Sequence, residues 1–196
     1  MELDAPSTPS VQLAERLFAH RTVLLFGEIT MDLAHAVSAQ LVALASESRA
    51  PIRMILHSPG GHVESGDTLY DLIRFIDAEV HVLGTGWVAS AGALIYSAAK
   101  RANRYCLPNT RFLLHQPLGG VGGKTADIEI EAEQMVQMRA RLQRIFAEAT
   151  GQPLEKLERE MDRNYWMNAE QAVQYGLCGK VIERASEMPH GAPPIY

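Results

Sequence analysis

Short apolar runs alternate with amphipathic helical patterns along the first half of this chain, and no other feature restricts its fold as strongly. The runs TVLLF at 22–26, IRMIL at 52–56 and VHVLG at 80–84 have the length and composition of buried strands. Between them, apolar residues recur at helical spacing over about 33–48 and again over 69–76. This order predicts an α/β domain built on a mostly parallel sheet with flanking helices.

The same alternation continues further along the chain, with shorter elements. The segment GWVASAG, from Gly86, is predicted to open another helix, and RYCL and RFLLH are predicted to form two short strands. Near the end, a short helix is expected to begin at Asn168, whose side chain would cap it with Gln171 at the third position. A small strand is predicted near Lys180–Ile182.

A long helix is predicted over 125–149, directly after the Gly-rich link LGGVGG at 118–123. At 1.5 Å per residue it would measure about 35–40 Å. Its apolar residues recur at steps of three, four and seven, which indicates a seam that packs against another surface. That surface is either its own sheet or a neighbouring subunit, and the preceding hinge favours the neighbour. The seam consists of Ile128, Met135, Met138, Leu142, Ile145 and Ala149.

Composition and charge exclude several classes of function. The net charge of −5 and the absence of a Lys/Arg run argue against binding to nucleic acid or to an anionic membrane. Cys106 and Cys178 form neither a disulfide framework nor a metal motif, so we predict no metal site and a reducing compartment, the cytoplasm. We expect a flexible arm at 1–10, one domain at 11–184 and a flexible tail at 185–196.

Three stretches follow strands at the edge of the sheet where α/β proteins bind ligands. They are the Gly-rich segment 58–61, Ser90 among very small residues, and His115 at the end of RFLLH. Each has an ordinary structural explanation: a turn, a close strand–helix junction and a hydrogen-bonded surface histidine. Together they supply what acyl transfer requires, namely a nucleophile, a base and backbone donors for an oxyanion. The surroundings of Ser90 read V-A-S-A-G, which disfavours the G-x-S-x-G elbow of α/β-hydrolases.

Four motifs in collinear order resemble the proteolytic subunit of the Clp protease over about 11–183. They read HSPGG, GWVASAGA, NRYCLPNTRFLLHQPLGG and MNAEQAVQYGL. The resemblance implies the ClpP/crotonase-like spiral of ββα units, with a protruding handle at about 119–149. It implies a cofactor-independent serine endopeptidase acting on peptides and unfolded proteins, and subunits assembled into two stacked heptameric rings, a tetradecamer. By the same resemblance Ser90 is the nucleophile, His115 is the general base, and the N–H groups of Gly61 and Ala91 form the oxyanion hole.

Three departures limit what the resemblance implies. The third triad position, usually aspartate, is Asn164, although Asp162 lies two residues earlier. The segment before the first helix is too short for the family's axial hairpin. The pocket that receives an AAA+ unfoldase is usually rich in tyrosine, whereas here it would contain Arg53, Ile55, Tyr105 and Ile182. A low-activity or structural subunit of a mixed barrel, dependent on a paralogue, therefore stays open as an alternative.

Overall fold

The computed structural model describes residues 11–117 and 125–188, which form a seven-stranded sheet with helices packed against it. The strands are β1 Thr22–Phe26, β2 Ile52–Ser58, β3 Val80–Ala89, β4 Arg104–Cys106, β5 Arg111–Leu114, β6 Tyr165–Asn168 and β7 Lys180–Val181. The α-helices are α1 Val11–Ala19, α2 Met31–Glu47, α3 Val63–Phe75, α4 Ala91–Ser97, α5 Thr125–Thr150, α6 Leu154–Glu160 and α7 Ala169–Tyr175. The predicted α/β class and mostly parallel sheet are confirmed.

The sheet forks at β3, and this fork brings the functional segments together. Strands β1, β2, β3, β4 and β7 are parallel neighbours in that order. The first part of β3, Val82–Gly84, pairs with β4, whereas its last part, Trp87–Ala89, pairs with β5. Strand β6 then pairs with β5 in the antiparallel direction. The end of β3 therefore lies beside β5, and β5 lies beside β6.

The hydrophobic core lies between one face of the sheet and the helices. Alternate residues of β2, including Met54 and Leu56, are fully buried, while the residues between them are partly exposed on the other face. Helix α2 contributes Val37 and Leu41 to the same core. Because successive strand residues point to opposite faces, this pattern shows that the helices cover one face only.

The sequence-based prediction was wrong at the end of β3. The segment from Gly86 was expected to open a helix, but Trp87–Ala89 continue the strand and helix α4 begins only at Ala91. The reason is tertiary pairing, because the backbone of Trp87–Ala89 has a partner in β5. In contrast, the cap of α7 is confirmed: the N–H of Gln171 donates to Asn168 Oδ1 at 2.8 Å, and the N–H of Asn168 donates to Gln171 Oε1 at 2.9 Å.

Helix α5 has the predicted extent, but its apolar seam does not serve a single surface. Leu142 is only 6% exposed and belongs to the domain's own core, with Met138 and Ile145 packed against that core. Nearer the start of the helix, Ile128 and Ile130 are 39% and 58% exposed. The second half of the seam is therefore an intramolecular contact, which corrects the expectation that the seam as a whole serves a neighbour. The Gly-rich link, the arm at 1–10 and most of the tail lie outside the described residues.

Candidate active site

Ser90 occupies a strained backbone position between β3 and α4. Its φ of 55° and ψ of −121° are rarely adopted by a residue with a side chain. The conformation is held from both sides, because the N–H of Ser90 donates to the carbonyl of Leu113 at 3.0 Å and its carbonyl accepts from the N–H of Leu94 at 3.1 Å. Strain of this kind persists where the surrounding structure fixes it, and it is concentrated at functional sites.

The Gly-rich segment after β2 passes directly against Ser90. Gly60 has a φ of +103°, and its N–H donates to Ser58 Oγ at 3.0 Å. The loop is fixed from the other side by Ile29, whose N–H donates to the carbonyl of Gly60 and whose carbonyl accepts from the N–H of His62, both at 2.8 Å. The segment predicted as an ordinary turn or an oxyanion loop is thus a rigid wall beside the serine.

The resemblance assigns the oxyanion hole to the backbone N–H groups of Gly61 and Ala91. The N–H groups on the neighbouring residues Gly60, His62 and Ser90 already have acceptors. Within 11–117 and 125–188, no hydrogen bond of the loops and caps uses the N–H of Gly61 or of Ala91. Ala91 is the first residue of α4, where a helix leaves its N–H groups without an internal acceptor. Both groups are therefore free to donate to a ligand.

His115 follows β5 and is half-buried. Burial lowers its pKa below the ordinary 6.5, and a hydrogen bond from the ring to the side chain of Asn164 partly opposes that effect. Its Nε2 is buried and has no hydrogen-bond partner in the described part of the chain. The nitrogen available to receive a proton is therefore Nε2, and it makes no hydrogen bond to Ser90.

Backbone contacts of the neighbouring residue bring Asn164 to His115. The N–H of Gln116 donates to the carbonyl of Met161 at 2.9 Å, and its side-chain amide donates to the carbonyl of Asp162 at 3.1 Å. The carboxylate of Asp162 lies 3.4 Å from the guanidinium of Arg139 instead. Asn164, not Asp162, is therefore the residue that interacts with His115.

Ser90 and His115 line one small cavity together, which brings two of the sequence-predicted residues to a common space. The other walls are Val63, Ala91, Leu94, Pro117, Leu142 and Phe146. The apolar walls were not recognised as site residues in the sequence, where Leu142 appeared only as part of the helical seam. Their signal was the four-residue spacing of Leu142 and Phe146, which places both on one helix face. Across 11–117 and 125–188, the structure contains no cluster of three or more His, Cys, Asp or Glu able to hold a metal ion.

A second cavity of about 290 Å³ lies on the face of the sheet that the helices leave open. It gathers Arg53, Ile55 and Ile182 from the predicted docking pocket, with Leu83, Leu107 and Met188 beside them. Tyr105, the fourth predicted residue, packs in the same apolar cluster as Ile182 and Met188. The predicted docking residues are thus adjacent in space, and the arginine lies on the wall of a mainly apolar cavity.

Comparison with known proteins decides the family. A family profile described as Clp protease matches residues 6–185. The chain belongs to the Clp protease family. Over 184 residues it is 54% identical to the ATP-dependent Clp protease proteolytic subunit 2 of Gluconobacter oxydans, covering 93% of this chain and 82% of that protein. The corresponding subunit 2 of Pseudomonas aeruginosa is 52% identical over 188 residues, covering 95% and 94%.

Solved structures of the Clp protease family agree with the fold. ClpP1 from Listeria monocytogenes is 46% identical, with a TM-score of 0.82 over 90% of this chain and 99% of that chain. A mutant of that ClpP1, with one asparagine replaced by aspartate, gives 47% identity and a TM-score of 0.85 over the same shares. The predicted ClpP fold is therefore confirmed for this Clp protease family member. None of the helices in the described ranges has the length and apolar character needed to cross a membrane.

Proposed function

We propose that this chain is a serine endopeptidase subunit of a barrel-shaped Clp-type protease, cleaving peptides and unfolded proteins inside a ring chamber. The observation that supports it best is the strained Ser90 lining one cavity with His115, between the rigid Gly60 loop and the start of α4. In this proposal Ser90 is the nucleophile, His115 is the base and Asn164 orients the base.

The chemistry follows from the free atoms of the site. Ser90 Oγ attacks the scissile carbonyl carbon and transfers its proton to Nε2 of His115, which is neutral because burial lowers its pKa. The carbonyl oxygen becomes negative and accepts hydrogen bonds from the N–H groups of Gly61 and Ala91. The protonated His115 then gives its proton to the leaving amine, and water releases the acyl group from Ser90 by the same steps in reverse order.

The proposed assembly is two stacked heptameric rings in the cytoplasm. The exposed apolar residues on the first half of α5, including Ile128 and Ile130, support a contact between subunits there. The relatives are named as proteolytic subunits of an ATP-dependent protease, which supports a partnership with an AAA+ unfoldase. The cavity containing Arg53 and Ile55 is the proposed docking site for that partner.

A second candidate function is a low-activity or structural subunit of a mixed barrel that needs a ClpP paralogue. Two observations favour it. Nε2 of His115 makes no hydrogen bond to Ser90 in this structure, and the third member of the triad, Asn164, brings no charge to stabilise an imidazolium. A partner ring that shifts His115 toward Ser90 would complete the site in this case.

Covalent labelling distinguishes these functions. The purified protein is treated with a small fluorophosphonate, and the modified residue is located by peptide mass mapping. We expect labelling of Ser90 that is lost in Ser90→Ala and retained in Ser97→Ala, a matched change of a buried serine in the same segment. Labelling without peptide hydrolysis, followed by hydrolysis when a paralogue is added, supports the mixed barrel. No labelling in either condition excludes the endopeptidase.

A further inference from the structure

The cavity beside Ser90 is small. It lies between Ser90 and His115 on one side and apolar side chains of α3, α4 and α5 on the other, and its volume is about 10 Å³. A single water molecule needs about 10–15 Å³ of such volume. The space therefore accepts a group of about the size of one methyl.

Its position identifies which part of a substrate would enter it. In an acyl-transfer site the scissile carbonyl carbon bonds to Ser90 Oγ, and its oxygen faces the N–H groups of Gly61 and Ala91. The side chain of the residue that supplies this carbonyl begins one bond further along. The cavity is bordered by Ala91, itself an oxyanion donor, and by Val63, two residues beyond the other donor. It is therefore the pocket for the side chain on the acyl side of the scissile bond.

We propose that this chain cleaves after residues with small side chains such as alanine, and that Leu142 and Phe146 set the limit. This inference rests on the proposed function of Ser90 as the nucleophile. Leu142 and Phe146 are 6% and 3% exposed and lie one turn apart on the face of α5 that closes the pocket. A branched or aromatic substrate side chain would have to displace them from the domain core.

The wall formed by α5 is held in place by contacts on both sides of Leu142 and Phe146. Arg141 forms an ion pair with Asp67 of α3, and Glu148 lies 3.8 Å from Arg74 of the same helix. At its end, the carbonyl of Ala149 accepts a hydrogen bond from Arg104 at 2.7 Å. These contacts join α5 to α3 and β4, and an outward movement of α5 that enlarged the pocket would have to break them.

The test uses single-turnover labelling, so that slow turnover does not obscure the result. The intact protein is treated with a series of peptidyl diphenyl phosphonates that differ only in the side chain next to phosphorus: alanine, leucine or phenylalanine. Phosphonylation of Ser90 is followed by intact mass. We expect the alanine analogue to react at least about tenfold faster than the other two, a difference of about 1.4 kcal/mol in barrier.

Two variants test whether Phe146 sets the size limit of the pocket. Phe146→Ala and the milder Phe146→Leu should each raise the rate for the leucine analogue relative to alanine, by about tenfold and about threefold. Val136→Ala, on an exposed part of α5, is the control and should leave the ratio unchanged. If Phe146→Ala fails to fold, Phe146→Leu decides the result.

The outcomes separate this inference from the proposed function. Labelling of Ser90 by a fluorophosphonate, together with equal or faster reaction of the leucine analogue in the wild type, overturns the size limit and leaves the peptidase proposal intact. An unchanged ratio in both Phe146 variants overturns the role of that residue. Absence of labelling by every probe means that Ser90 is not the nucleophile, and both proposals are then wrong.

Discussion

A β-carbon placed on Gly60 would lie 2.6 Å from the Cβ of Ser90 and 3.1 Å from its Oγ. Carbon atoms do not approach this closely, so any side chain at position 60 must push the serine or the loop away. The backbone after β2 thus limits where the serine hydroxyl can be, in addition to the strand and helix on either side of it.

The first prediction concerns this contact. Gly60→Ala should lower the rates of phosphonate labelling and peptide hydrolysis by about 10²-fold or more. The reason is that a displaced loop no longer points its backbone N–H at the oxyanion that forms on attack by Ser90. The measurement is labelling of Ser90 by intact mass, with folding checked by circular dichroism. Gly27→Ala is the matched control, since Gly27 also has a positive φ, of +95°, but no atom of the described residues lies within 4 Å of an added Cβ. Equal losses in the two variants would attribute the effect to backbone strain alone.

The second prediction concerns Asn164. Asn164→Asp should raise hydrolysis of short fluorogenic peptides by at least about tenfold, about 1.4 kcal/mol, because a carboxylate stabilises the imidazolium that forms during attack. In an unrelated serine protease the opposite change lowers turnover by about 10⁴. The oligomeric state of both proteins is checked by native mass spectrometry. Asp162→Asn is the control and should have little effect, since Asp162 contacts Arg139. Equal rates for wild type and Asn164→Asp would show that Asn164 does not limit activity.

The third prediction is the pH dependence of kcat/KM. His115 must be neutral to accept a proton, and burial lowers its pKa below 6.5. The acid limb of the profile should therefore have its midpoint below pH 6.5. In Asn164→Asp the nearby negative charge favours the imidazolium, so the midpoint should move to higher pH by about one unit or more. His62→Asn, which changes the exposed histidine next to Gly61, should leave the midpoint in place. If Asn164→Asp leaves the midpoint of the acid limb unchanged, a group other than His115 is the base.

The fourth prediction concerns stability. The buried Arg104 donates to the carbonyl of Leu177 at 2.9 Å and to that of Ala149 at 2.7 Å, which joins β4 to the end of α5 and to the segment after α7. Arg104→Met should lower the free energy of unfolding by about 2–4 kcal/mol, given about 1.5–3 kcal/mol for a hydrogen bond to a charged group. Arg101→Met removes a more exposed arginine that donates to Val173 at 3.3 Å, and it should cost about 0.5 kcal/mol or less. Similar midpoints of thermal unfolding in the two variants, at matched concentration, would contradict the role of Arg104.

The fifth prediction concerns assembly. The double substitution Ile128→Asp and Ile130→Asp should weaken self-association without unfolding the domain, because both side chains are exposed and a charge in an apolar interface is unfavourable. Gln134→Asp, on the exposed first half of α5, adds negative charge without replacing an apolar side chain and serves as the control. Leu142→Asp is expected to destabilise the domain itself, since Leu142 belongs to its core. Native mass spectrometry and size-exclusion chromatography report the result, and unchanged assembly in the double variant would contradict an interface at this part of α5.

The sequence predicted best the elements whose signals are local. The strand at 22–26, the helix predicted over 125–149 and the cap formed by Asn168 and Gln171 all depend on residues close together in the chain. The structure confirms them, with the helix ending one residue later, at Thr150. The end of β3 was misassigned because local sequence does not show that Trp87–Ala89 have a partner strand, and pairing with β5 decides their conformation. Strand β6 was not predicted as a strand for a similar reason, since it depends on its antiparallel partner.

The candidate site shows the same division. Ser90, His115 and Asn164 were found through motifs, but their contacts required coordinates. The hydrogen bond from His115 to Asn164 and the unpaired Nε2 depend on how closely separate strands approach, which no sequence pattern expresses. Leu142 was placed in a seam expected to favour a neighbouring subunit over its own sheet, because spacing identifies the apolar face of a helix and not the surface that this face meets.

The order in which the strands around the β3 fork occur in the sequence has a consequence during synthesis of the chain. Ser90 and His115 are synthesised before Asn164, and Asn164 reaches His115 only when β6 has paired with β5 at Leu114↔Tyr165. A nascent or truncated chain that ends before β6 therefore contains Ser90 and His115 without the contact from Asn164. If Ser90 and His115 act as proposed, the site is complete only when almost the entire domain has been translated and β6 has paired with β5.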